Sequence, residues 1–138
     1  MIKAIIFDLF GTLTDSYSNH EQRIIDYFNL DVSMNFVEEV TNGIKFENMD
    51  SYLKIIIKKL NLKDTEETRE KLVEIFKEEK AKEKINKEAE SVLKELKSRN
   101  FRLGIISNIP NPDWDLLEEN NLKKYFDYIF YSFRMKIR

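Results

Sequence analysis

The chain has no cysteine, which excludes disulfides, thiol nucleophiles and thiolate metal sites, and leaves the redox compartment open. Proline and glycine are scarce, at 2 and 3 of 138 residues, and no Pro/Gly-rich linker or internal repeat interrupts the pattern. Charge of one sign is also lacking. Lys+Arg 23 against Asp+Glu 25 leaves a net charge of −2, which argues against nucleic acid or an anionic membrane as the main partner. The longest aliphatic run, Ile55, Ile56 and Ile57, is far short of a membrane span. No basic region followed by an apolar stretch marks a signal peptide at the start, so a cytoplasmic location is expected. What the chain does have is 42% apolar and 12% aromatic residues, enough for a core.

The most informative stretch is Ile5-Ile6-Phe7-Asp8-Leu9-Phe10-Gly11-Thr12-Leu13-Thr14-Asp15. Its β-branched apolar start reads as a buried strand. The strand ends on a carboxylate, and Gly11 and Thr12 follow at once in a tight loop. Asp8 therefore falls at a strand's carboxyl end, where open α/β sheets bind ligands. A carboxylate placed there suits a nucleophile that forms a covalent intermediate.

Between about Ser16 and Lys84 the pattern is helical. Ser18-Asn19-His20-Glu21 reads as a capping box opening a helix through Leu30, with Ile24, Ile25 and Phe28 on one face. Further helices are expected from Asn35 to Thr41 and from Met49 to Leu60, and another runs to about Lys82, capped by Asp64 with Glu67. After the insert, Lys87 to Arg99 reads as a helix packing Ala89, Val92, Leu93 and Leu96 inward, and Arg102 to Ser107 as a strand. Asn111 with Pro112 opens a helix to about Asn120, and Asp127 to Ser132 closes the series as a third strand. Strands alternating with helices imply a parallel sheet with right-handed crossovers. The expected fold is α/β, a partial Rossmann-like core of three strands (1–15 and 85–138) with an all-α insert (16–84) after the first strand.

Ser107 and Asn108 end the second strand beside Asp8, and a hydroxyl with an amide can hold an anionic substrate group. Asp8 to Thr12 resembles the first motif of the haloacid dehalogenase-like hydrolase superfamily, and Ser107 matches its second. The resemblance extends over nearly the whole chain. It implies a nucleophilic Asp8 oriented by Thr12, with Gly11, Ser107 and Asn108 binding a small anionic substrate. It also makes the insert a cap domain that selects the substrate, and Asp8 the start of a Mg²⁺ site. That site is incomplete here, because a lone carboxylate holds Mg²⁺ weakly.

Two departures matter. Family phosphatases carry a second aspartate two residues after the nucleophile to protonate the leaving alkoxide, and here Phe10 stands there. A phenyl ring moves no proton, so that acid is missing. Family dehalogenases carry an aromatic at this place and an asparagine after the second-motif serine, so both a phosphate ester and a 2-haloacid stay open as substrates. Arg23 and Lys45 are the candidates for a halide cradle. Second, after the third strand the sequence runs from Phe133 to Arg138 and ends; by spacing the family lysine would be the next residue, with a fourth, acidic motif further on, so the chain reads as truncated. Lys136 or Arg138 could replace that lysine. A non-catalytic member binding a small anion or a partner chain is the alternative function. A receiver-like phosphoacceptor module is a further rival, but it fits the helical insert poorly and lacks the adjacent acidic pair. His20 is expected at the surface, and Trp114 with Tyr125, Phe126, Tyr128 and Phe130 as cover for the sheet. The strand Ala4 to Asp8 is expected at a sheet edge, so a homodimer or a complementing second chain would bury the Ile5 and Phe7 faces.

Overall fold

Three strands form one parallel sheet in the order β1-β2-β3, in a computed structural model that describes residues 1–15, 18–44, 46–109 and 114–132. β1 is Ala4–Phe7, β2 Arg102–Ser107 and β3 Tyr128–Tyr131. In register, Phe7 lies opposite Ile105, and Ser107 opposite Tyr131. All three strands therefore end at one rim, which carries Asp8 and Asn108. The fold is the expected α/β arrangement, with helices inserted after β1.

Those helices are α1 (His20–Phe28), α2 (Met34–Asn42), α3 (Met49–Lys59) and α4 (Glu66–Lys82). The chain leaves and re-enters the sheet layer through two paired segments. Thr14 bridges Ile85 in antiparallel sense, Asp15 N–H donates to Lys84 O at 2.9 Å, and Asn86 N–H to Leu13 O at 2.8 Å. α5 (Ala89–Ser98) and the short α6 (Leu116–Glu119) complete the fold. One apolar core runs from Leu103 and Ile105 of the sheet to Ile24, Val37, Ile56, Leu72 and Phe76 of the insert.

The caps differ from the sequence reading in instructive ways. The α1 N-cap is Asn19, without a side-chain capping bond, and the Ser18 hydroxyl, expected in a capping box, lies 2.6 Å from His20 Nδ1. Ser33 caps α2, and Asn48 and Ser51 form a reciprocal box at α3. Thr65 caps α4 because Asp64 is bound by Arg69 at 2.7 Å and 2.9 Å. Asp115 caps α6, so that helix starts later than expected; the proposed Asn111–Pro112 start lies outside the described residues. Val92, expected inward, is 47% exposed.

One face of the sheet packs on this core and the other does not. Ile5 and Phe7 are half-buried against the core, whereas Ile6, Ile106, Tyr128 and Phe130 stand exposed on the far side. The expectation that Ile5 and Phe7 await a partner is thus corrected: strand alternation turns them inward and leaves Ile6 outside. Tyr128 and Phe130 belong to the sheet's bare face rather than covering it.

Candidate active site

The turn after β1 is wound on a single carbonyl. Leu9 O accepts from the N–H groups of Thr12, Leu13 and Thr14 at 3.3, 2.8 and 3.2 Å. Gly11 takes φ 70°, a left-handed conformation that glycine adopts without a Cβ clash, and its N–H donates to Thr14 Oγ1 at 3.0 Å. Asp8 Oδ1 accepts from Leu9 N–H at 2.7 Å, which fixes the carboxylate at the strand end. The loop bond expected of Thr12 is made by Thr14; Thr12 itself is exposed.

Asp8, Ser107 and Asn108 border one cavity of about 240 Å³. Phe10 and Trp114 form an aromatic wall beside them, ring centroids 6.0 Å apart and edge-on. Ser18, His20, Glu21, Glu38 and Asn42 of the helical insert form the wall opposite. Gly11 and Thr12 do not border the cavity. Ser107 is 3% exposed, and its Oγ has no hydrogen-bond partner among the described residues. Asn42 Oδ1 is in the same state. A buried polar atom without a partner costs about 1–3 kcal/mol, so two of them on one cavity mark a place where a polar ligand would be held.

His20 is not at the surface but 2% exposed, between Trp114 and Phe76 with ring centroids 5.5 Å from each. The Ser18 hydroxyl lies 2.6 Å from Nδ1, and Thr41 Oγ1 3.2 Å from Nε2. The Thr41 hydroxyl donates to Glu38 O, so its oxygen accepts the Nε2 proton, which leaves Nδ1 to accept from Ser18. Burial lowers the pKa of His20 to about 4, against an opposing pull from Glu79. The ring is therefore neutral at pH 7.

Glu21 Oε1 lies 3.2 Å from His20 Nε2, and the Glu21 side chain is 13% exposed. Burial raises its pKa, against a bond from its own backbone, and the nearby charges of Glu38 and Glu79 add to the rise. Arg23, a candidate for a halide cradle, points elsewhere: its guanidinium binds Glu78 and, at 2.9 Å, Glu79 on α4. Lys45, Phe133, Lys136 and Arg138 lie outside the described residues. Among the described residues no Lys or Arg borders the cavity, and no three metal-ligating side chains converge. Asp8 is the carboxylate on the sheet's side of the cavity, with Glu21 and Glu38 on the side of the insert.

The sequence reading thus located the strand-end residues and missed the insert's wall. No local signal marked that wall: the 10 to 13 residues from Asp8 to Ser18 and Glu21 could span roughly 30–45 Å, so their return to the strand end is set by tertiary packing.

The sequence model for haloacid dehalogenase-like hydrolases matches residues 2–137. Among curated proteins, none matches the sequence. Solved structures that resemble it include a HAD family enzyme from Bacteroides thetaiotaomicron in complex with magnesium and inorganic phosphate (17% identity, TM-score 0.60). The alignment covers all of this chain and 72% of that one. A 2-haloacid dehalogenase from Pseudomonas syringae pv. tomato is 20% identical with a TM-score of 0.57, covering 99% of this chain and 66% of that one. A predicted phosphoglycolate phosphatase from Haemophilus somnus is 19% identical with a TM-score of 0.53, covering 95% and 63%. The chain thus spans less than two thirds of the length of some of these relatives. At such identities the likeness is one of fold.

Proposed function

Since the chain belongs to the haloacid dehalogenase-like hydrolase family, we propose that Asp8 is the nucleophile of a hydrolase acting on a small anionic substrate, a phosphate ester or a 2-haloacid. The observation that carries this reading is the cavity in which Asp8, at the end of β1, meets the buried, unpartnered Ser107 Oγ. Asp8 attacks the electrophilic phosphorus or carbon and forms an ester linkage, which water then cleaves. Ser107 Oγ, buried, and the Asn108 amide, exposed at the rim, donate to the anionic oxygens. Gly11, through its left-handed turn, and Thr14, whose hydroxyl accepts the Gly11 N–H, hold the loop that presents Asp8, with Thr12 adding its backbone N–H to Leu9 O. The insert, 16–84, acts as a cap over the sheet's rim, as its place along the cavity wall supports. Magnesium is compatible with a single carboxylate beside a phosphoryl group, and no step here is routed through it.

The test is turnover of an aryl phosphate and of 2-chloropropionate, each with and without Mg²⁺. Asp8→Asn is expected to reduce activity on whichever is the substrate by roughly 10²-fold or more. Ser107→Ala should raise KM. Activity that survives Asp8→Asn overturns the nucleophile. Phe10 in place of a proton donor, with no described cation on the cavity, favours a second reading: a non-catalytic member that binds a small anion. In that case sulfate binding would depend on Ser107 while no turnover is seen.

A further inference from the structure

In an in-line displacement the leaving oxygen emerges on the far side of phosphorus from the attacking group. With Asp8 on the sheet's rim, the far side is the wall supplied by the insert. Among the described residues of that wall, the groups that could carry a proton to a poor leaving group are Ser18, His20, Glu21 and Glu38, since Phe10 has none to give. His20 is excluded because both ring nitrogens are engaged, by Ser18 and by Thr41, and the ring is neutral. The Ser18 hydroxyl is committed to His20 Nδ1. Glu38 is exposed at the mouth. Glu21 remains: 13% exposed, on the first turn of α1, in the same cavity as Asp8.

We propose that Glu21 is the general acid for phosphate ester hydrolysis by this chain, supplying from the insert the proton that position 10 cannot. The inference rests on Asp8 being the nucleophile. An Asp8 oxygen bonds to phosphorus, the P–O ester bond breaks, and its electron pair stays on the leaving oxygen. That oxygen takes the Glu21 proton and departs as an alcohol. Water then attacks phosphorus, gives its proton to the Glu21 carboxylate, and the P–O bond to Asp8 breaks to restore the free carboxylate. Atoms and charge balance with no further reactant. Burial and the neighbouring carboxylates favour the protonated form of Glu21, and they prevail over the Nε2–H of His20, 3.2 Å from Oε1, and a bond from its own backbone, which favour the carboxylate. Glu38 on α2 and Glu79 on α4 repel a second negative charge, the buried Tyr52 on α3 is neutral, and His20 carries no charge. Arg23 and Lys82 are paired with Glu79 and partly screen it.

The experiment compares p-nitrophenyl phosphate, whose leaving group departs without a proton, with ethyl phosphate, whose leaving group needs one. Wild type, Asp8→Asn and Glu21→Gln are measured as the full chain. Glu21→Gln should lose roughly 10²–10⁴-fold more kcat on ethyl phosphate than on the aryl ester. In the wild type, kcat on ethyl phosphate should fall as pH rises through the Glu21 pKa, and that alkaline limb should vanish in Glu21→Gln. An equal loss on both esters, or none on either, overturns the role of Glu21 while leaving Asp8 intact, provided aryl turnover depends on Asp8. Aryl turnover that depends on Asp8, with no turnover of ethyl phosphate at all, overturns it as well. Absence of Asp8-dependent turnover on either ester overturns both readings together.

Discussion

His20 shows how a single residue couples the candidate site to the stability of the insert. Its ring is buried and neutral with a pKa of about 4 against an ordinary 6.5, so the unfolded chain binds a proton that the folded chain refuses. The stability this represents is present in full above pH 6.5 and is lost as pH falls toward 4. Two and a half pH units correspond to about 3 kcal/mol. Glu21 acts in the opposite sense, because its raised pKa lets the folded state take up a proton first as pH falls. The His20 contribution is therefore read from a difference. Denaturant unfolding of wild type and His20→Asn between pH 7 and pH 4 should give curves that converge as pH falls, with the wild type losing about 3 kcal/mol more than the variant. Parallel curves would mean that His20 is already solvated in the folded chain.

At the scale of elements, four helix ends share a device that compensates for the scarcity of glycine. Asn29, Asn61, Asn100 and Asn121 take φ of 49°, 54°, 62° and 54°, the left-handed conformation usually given to glycine at a helix C-terminus. After each stands an apolar residue whose N–H reaches five residues back: Leu30 to Ile25, Leu62 to Ile57, Phe101 to Leu96 and Leu122 to Leu117, at 2.8–3.2 Å. The repeated Asn-Leu or Asn-Phe pair was visible in the sequence and stands one or two residues past each of these helix ends, although Asn35-Phe36 in the first turn of α2 shows that the pair alone does not mark one. The strands were legible for a different reason, since apolar runs ending in Asp8 and in Ser107-Asn108 leave few other assignments. The start of α6 and the contacts of Trp114 were not legible, because they depend on tertiary packing. The same limit hid Glu79 within a charged run from Lys77 to Glu90 that reads as solvated. Its side chain is 0% exposed and accepts from Asn19 N–H at 2.9 Å, from Arg23, and from Lys82 one turn on. Burial opposes its ionisation, yet Lys82, the Asn19 N–H and Arg23 together hold its pKa below the ordinary value. This link joins α4 to the entry of α1, next to Glu21. Glu79→Ala leaves Arg23 and the Asn19 N–H without their acceptor and should cost about 2–3 kcal/mol in thermal or urea unfolding. The neighbouring, half-exposed Glu78→Ala should cost within about 0.5 kcal/mol. Equal effects would show that the buried partner matters no more than the solvated one.

For the whole molecule, the sheet sets the open question. Among the described residues β1 is a terminal strand, and the face of the sheet turned away from the core carries Ile6 at 65%, Ile106 at 51%, Tyr128 at 56% and Phe130 at 45% exposure. A shallow cavity of about 110 Å³ on that face is lined by β1, β2 and β3 residues and is apolar but for Arg102 at its rim. Parallel sheets are normally covered on both faces, and a bare one combines an unpaired edge with an apolar patch. We propose that a second copy of the chain covers it. Two such faces related by a two-fold axis are self-complementary: Ile6 and Ile106 of one meet Tyr128 and Phe130 of the other, and sheets stack at about 10 Å. The contact lies on the opposite side of the sheet from the helical insert, so the cavity at Asp8 stays open in the dimer. Light scattering at micromolar concentration should give twice the 16.6 kDa mass of the chain. Ile106→Lys, which places a charge at the centre of the patch without touching the core, should shift the population to monomer and leave the helical content unchanged. A wild-type chain that is a monodisperse, cooperatively folded monomer at that concentration would refute self-association through this face.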